Sequence, residues 1–145
     1  MKTRVAITIW LLLAIPVVAP AQLSQDRPLY VGGIGKFIGG LGVHAEFPVQ
    51  DKLTLRGEVG WLFFILDINA GLGYSITPKI EVYTTVHATI MSFFSSTIAF
   101  GPEFGIDLRV TRVFHIEGGV VYLKNESAQE WLPNVGITLN IPLSQ

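Results

Sequence analysis

The chain has no cysteine, few charges and, beyond its N-terminal segment, no long apolar run. Each of these absences excludes something. Without cysteine there is no disulfide to staple a small exported domain, so another device must hold the fold. Charged residues are 14% of the chain, below the roughly 25–35% typical of a solvated protein surface. Ten basic residues face eleven acidic ones, too few for the dense basic patch that binding a phosphate backbone requires, so no nucleic-acid partner is expected. After the N-terminal segment no stretch approaches the roughly 20 apolar residues of a spanning helix. No nucleophile, base and acid occur in a recognisable catalytic spacing, and no cofactor motif is present.

What remains is a Gly-rich chain that is 50% hydrophobic, with the apolar residues dispersed. The N-terminus is the exception. Lys2 and Arg4 form a short basic region, residues 5–18 are apolar, and Ala19-Pro20-Ala21 is a small-x-small cleavage site. This reads as a secretory signal peptide over residues 1–21, with Pro16 arguing against a retained anchor. The mature domain, residues 22–145, then carries eight basic against eleven acidic residues, a net charge of −3.

Within the mature domain the hydrophobicity alternates with period two, the signature of strands with two unlike faces. Leu53, Leu55, Val59, Trp61 and Phe63 oppose Thr54, Arg56, Glu58 and Gly60. Leu66, Ile68, Ala70, Leu72, Tyr74 and Ile76 oppose Asp67, Asn69, Gly71, Gly73 and Ser75. The same reading covers 80–90, 98–110, 114–122 and 135–143, with 41–49 and a less regular 29–37 completing eight strands. Three short turns, at 49–53, 76–80 and 110–114, recur at hairpin-length intervals and define one end of an up-and-down barrel. The other end takes residues 38–40, 62–65, 91–96 and 124–133, the last expected as a long polar loop and the one place besides the signal where a helix could form.

Size and charge decide which face points inward. The aromatic and aliphatic set would overfill an eight-stranded barrel, whereas the polar set is rich in glycine and small hydroxyl residues that suit a crowded lumen. Every charge in the expected strands (Lys36, Glu46, Arg56, Glu58, Asp67, Glu81, Glu103, Asp107, Arg109, Glu117) falls on the polar face. A charge facing lipid near the midplane costs about 2–4 kcal/mol, so this segregation is what a membrane barrel requires. The expected fold is therefore all-β: an eight-stranded antiparallel up-and-down transmembrane β-barrel following a cleaved signal peptide.

In signal, strand number, alternation and tight turns, the chain resembles the small eight-stranded outer-membrane barrels, the OmpA-like and OmpX-like group, over nearly all of residues 28–143. The resemblance is one of pattern rather than of a residue motif. It implies export to a bacterial outer membrane, with outer-membrane lipid as the surrounding partner. Two features depart from the group: the chain ends Ile141-Pro142-Leu143-Ser144-Gln145, where many members end in an aromatic residue, and long polar outer loops are largely missing.

Four functional readings follow. In the preferred one, the charges Lys36, Glu46, Arg56, Glu58, Asp67, Glu103, Asp107, Arg109 and Glu117, with His87, form an ion-paired plug in a non-enzymatic barrel, structural or accessory to a membrane assembly. The excess of acids over bases supports a narrow, porin-like cation-preferring pore as an alternative. A lipid-modifying enzyme would have to use His87 with Thr89 and Ser92, and a soluble lipocalin-like carrier would invert the faces. His44-x-Glu46 and His115-x-Glu117 each place two metal-ligand types on one side of a strand, but without an identifiable third ligand they are expected as polar filling, with no metal or other cofactor. Trp61, Phe63 and Phe64 at one tip and Phe93 and Phe94 at the next form an apolar rim, read either as an interfacial girdle or as a docking patch for another membrane or surface protein.

Overall fold

The computed structural model describes residues 29–92 and 96–143. The segment read as a signal peptide lies outside them, as do Phe93 and Phe94. All the described elements are strands: β1 (Leu29–Lys36), β2 (Gly40–Pro48), β3 (Leu53–Leu62), β4 (Ile65–Thr77), β5 (Ile80–Ser92), β6 (Ser96–Arg109), β7 (Phe114–Lys124) and β8 (Gln129–Leu143). Each pairs antiparallel with its sequence neighbours, and β1 pairs with β8 from Leu29↔Leu143 to Lys36↔Gly136, closing the barrel. Closure leaves no unpaired sheet edge, which is how strands satisfy their backbone in hydrocarbon without a disulfide or a helix.

The turns at one end are held by local hydrogen bonds. The Thr77 hydroxyl accepts from the amides of Lys79 (3.2 Å) and Ile80 (3.1 Å). Thr111 does the same for Val113 (3.2 Å) and Phe114 (2.8 Å). We call this the turn end. At the opposite, tip end, β3 and β4 are joined by Phe63 and Phe64 alone, with Phe63 at φ 51°. A left-handed conformation is disfavoured for an L-residue with a bulky side chain by about 1–2 kcal/mol, and turns of this kind usually place Gly or Asn there.

The expected long loop at 124–133 is corrected. The β7–β8 ladder continues through Tyr122↔Trp131, Leu123↔Glu130 and Lys124↔Gln129, so only residues 125–128 turn. The Asn125 side-chain oxygen accepts from the amides of Ser127 (2.8 Å) and Ala128 (2.7 Å), an Asx-type turn rather than a helix. Lys124 and Glu130 thus sit on strands, but at their tip-end extremities and exposed, away from the midplane where charge is costly.

The faces are arranged as the charge argument requires. Outward positions are apolar and exposed, among them Ile68, Leu72, Val86, Ile106, Val120 and Ile137, while inward positions hold nearly all the buried polar and charged residues. A water-soluble fold has the opposite arrangement, so the soluble-carrier reading loses its structural basis. Aromatics cluster toward both ends of the outer surface: Trp61, Phe63, Phe64, Tyr122 and Trp131 at the tips, Phe47, Tyr74 and Phe114 toward the turns. Tyr122 and Trp131 pack against each other at 5.0 Å between ring centroids.

Candidate functional site in the barrel lumen

Alternation delivers every charge of the expected network to the lumen, and register decides which of them meet. Lys36, Glu46, Arg56, Glu58, Asp67, His87, Glu103, Asp107 and Glu117 are all buried there, and the Arg109 side chain is 14% exposed at the turn end. Glycines make room for them. A Cβ added at Gly105 would lie 2.8 Å from Cε1 of Tyr83, so this position must lack a side chain for the tyrosine ring to lie across the lumen.

At mid-barrel, Lys36 Nζ lies 2.8 Å from both Glu58 Oε2 and Glu117 Oε2. Arg56 makes a short contact with Glu117 Oε1 through Nη2 and stands 3.5 Å from Glu81 Oε1 through Nη1. Its guanidinium also lies 4.4 Å from the Tyr83 ring centroid, a cation–π arrangement. Arg56 therefore ties together acids contributed by β3, β5 and β7. Glu81 is further bound by Arg109 Nη2 (2.6 Å), Thr54 Oγ1 (3.1 Å) and Ser75 Oγ (3.2 Å).

Toward the tips, His87 bridges two acids. Its Nδ1 lies 2.9 Å from Asp67 Oδ2 and its Nε2 lies 2.5 Å from Glu103 Oε2. Both contacts are hydrogen bonds only when the three groups share two protons, as in an imidazolium between two carboxylates. The remaining oxygens are also served: Thr89 donates to Asp67 Oδ1 (2.5 Å), while Tyr83 (2.9 Å) and Asn134 (3.2 Å) donate to Glu103 Oε1. The histidine is 0% exposed and both its nitrogens face carboxylates, with the Thr85 hydroxyl a longer contact at 3.4 Å from Nε2. Thr89 is instead committed to Asp67, and Ser92 is exposed at the strand end. The trio weighed for lipid chemistry does not assemble.

Toward the turns lie His44, Glu46, Asp107 and His115, with Tyr30 edge-on to the His115 ring at 6.2 Å. His115 Nδ1 is 3.1 Å from Asp107 Oδ2, and Asn140 contacts both His115 and His44. Among the described residues, two trios have ligand atoms within 4.8 Å of one another: His44, Glu46 and Glu117, and Glu46, Asp107 and His115. The His44–Glu46 pair seen in sequence therefore stays together in one group, whereas His115 and Glu117 are divided between the two, which share Glu46. Sequence reasoning missed the contributions of Asn134, Thr138, Asn140 and Tyr30. The alternation of β8 could have revealed the first three.

The N-terminal β-barrel domain of Pseudomonas aeruginosa OprF superposes with a TM-score of 0.53 at 14% identity, over 79% of this chain and 98% of that one. Yersinia pestis outer membrane protein Ail gives 0.54 at 11% identity, over 80% and 100%. The fold is that of the small outer-membrane β-barrels. A de novo designed transmembrane β-barrel shares it too, with a TM-score of 0.52 at 18% identity, over 83% of this chain and all of the design. No protein-family model and no curated protein matches the sequence.

Proposed function

We propose that this chain is a non-enzymatic bacterial outer-membrane barrel, exported by a signal peptide, with a side-chain-filled lumen and a structural or accessory role in a membrane assembly. The observation that carries the reading is the reversed distribution of polarity: ionic groups inside, hydrocarbon-compatible groups outside. The lumen supports a plug, because Glu81, His87, Glu103 and Asp107 are each 0% exposed and the mid-barrel cations bind acids from several strands. The engagement of both His87 nitrogens supports the non-enzymatic reading. The Phe63–Phe64 tip supports a docking role, since Phe63 is 82% exposed and is held in a disfavoured backbone conformation that presents it outward.

A second reading, a narrow cation-preferring pore, is favoured by the seven buried acids against three permanent bases. Planar-bilayer recording separates the two: the plug predicts no steady conductance, and a cation-selective current would favour the pore. The membrane reading is tested by fractionation, with the mature protein expected in outer membranes and migrating faster on gels before heating than after. Co-purification in mild detergent, with and without Phe63→Ser and Phe64→Ser, tests the docking rim.

A further inference from the structure

We infer that the turn-end half of the lumen is a binding site for one divalent transition-metal cation of the zinc type, with Glu46, Asp107 and His115 as ligands. The inference rests on the lumen geometry, not on the proposed role in an assembly. Glu46 is 1% exposed, yet neither carboxylate oxygen receives a hydrogen bond from any described residue. Its nearest cations, Arg56 Nη2 and Arg109 Nη2, stand 3.7 Å away. Asp107 Oδ1 likewise has no hydrogen-bond partner among the described residues. Buried carboxylate oxygens are rarely left so, because desolvation is compensated only by donors or by a cation.

The His115 ring supplies a nitrogen to the same group, within 4.8 Å of the two carboxylates. A tetrahedral zinc site needs neighbouring ligand atoms at ~3.3 Å, given metal–ligand distances of ~2 Å, a closure that side-chain rotations can supply. Asn140 and Tyr30 contact the His115 ring and orient it, as outer-shell groups do around metal ligands. The other trio is less suited, because its Glu117 is already bound by Lys36 and Arg56.

Charge bookkeeping points the same way. With an imidazolium at His87 balancing one of its two acids, Asp67 and Glu103, the rest of the lumen contains, among the described residues, five acids (Glu46, Glu58, Glu81, Asp107, Glu117) and three bases (Lys36, Arg56, Arg109). The five acids exceed the three bases by two charges and the unbalanced acid beside His87 adds a third, so one divalent ion would remove most of the excess negative charge. Arg109, 14% exposed, marks the side from which an ion would reach the site.

The test uses tag-free mature protein refolded in detergent, stripped with chelator and titrated with Co²⁺ and then Zn²⁺. One equivalent of Co²⁺ should give ligand-field absorption that Zn²⁺ abolishes. Glu46→Gln and His115→Gln should each weaken uptake at least tenfold while gel migration still reports a folded barrel, and Glu126→Gln in the exposed loop should leave it unchanged. X-ray absorption of Zn²⁺-loaded wild-type protein, which needs no variant to fold, should show one imidazole among oxygen ligands. A folded wild-type barrel that takes up no stoichiometric metal, or a zinc spectrum without imidazole, overturns the inference. So does uptake equal in wild type and both lumen variants.

Discussion

The two ends of the lumen solve the same problem differently. Toward the tips, Asp67 and Glu103 have every oxygen bound to a hydroxyl, an amide or the His87 ring. Toward the turns, Glu46 has two oxygens without a hydrogen bond and Asp107 has one. Both sets are carboxylates on inward positions of the same barrel, and both are buried. The difference lies in their neighbours: the tip acids meet Thr89, Tyr83 and Asn134, all donors, whereas Glu46 and Asp107 meet one another, two arginines at longer range and histidine, the nearer Arg109 donor being taken by Glu81. The tip half is thus a finished internal network that rigidifies the barrel, and the turn half is a site whose balance depends on something bound.

Arg56 links the two halves, and removing it should have the largest effect. Arg56→Ala leaves several buried acids uncompensated and should lower stability by about 3–5 kcal/mol, measured by urea unfolding in lipid vesicles. Lys124→Ala at the exposed strand end should change it by less than about 0.5 kcal/mol. Equal effects would remove the plug. Next, His87→Gln should cost about 1–3 kcal/mol, since two buried carboxylates lose their shared donor. Asn134→Ala is expected to cost less, about 1 kcal/mol, for its bonds to Glu103 and to the Ile38 amide. Among the lumen variants the smallest effect should come from the turn half without metal: Glu46→Gln removes a carboxylate that accepts no hydrogen bond, and Arg56 and Arg109 keep Glu117 and Glu81 as partners. We expect a change below about 1 kcal/mol in chelator. A loss as large as that of His87→Gln would erase the contrast between the halves.

Much of this was legible in the sequence because a strand has a strict period. Parity alone placed Arg56, Glu103 and Glu117 inside and Ile68 and Val120 outside, and lipid made that segregation interpretable. Parity failed where polar residues imitate a loop: Gln129 and Glu130 read as connection, yet they extend β8 because the β7–β8 ladder continues past the apolar zone. It also could not pair residues across the lumen. Arg56 and Glu117 are 61 positions apart on strands that do not pair, and only barrel closure brings them into contact, whereas His87 and Glu103 meet diagonally across the β5–β6 hairpin. The His-x-Glu pairs show the same limit, since the atoms that complete each group come from other strands.

Which face meets hydrocarbon can be measured directly, because the chain is free of cysteine. Single cysteines placed at Val86 and Ile68 on the outer face, and at Thr138 in the lumen, can be spin-labelled in protein reconstituted into lipid bilayers. Labels at Val86 and Ile68 should collide freely with dissolved oxygen and scarcely with a water-soluble nickel chelate, while the Thr138 site should resist labelling in the folded barrel. Ready collision of the nickel chelate with the Val86 and Ile68 labels would contradict a lipid-facing apolar surface.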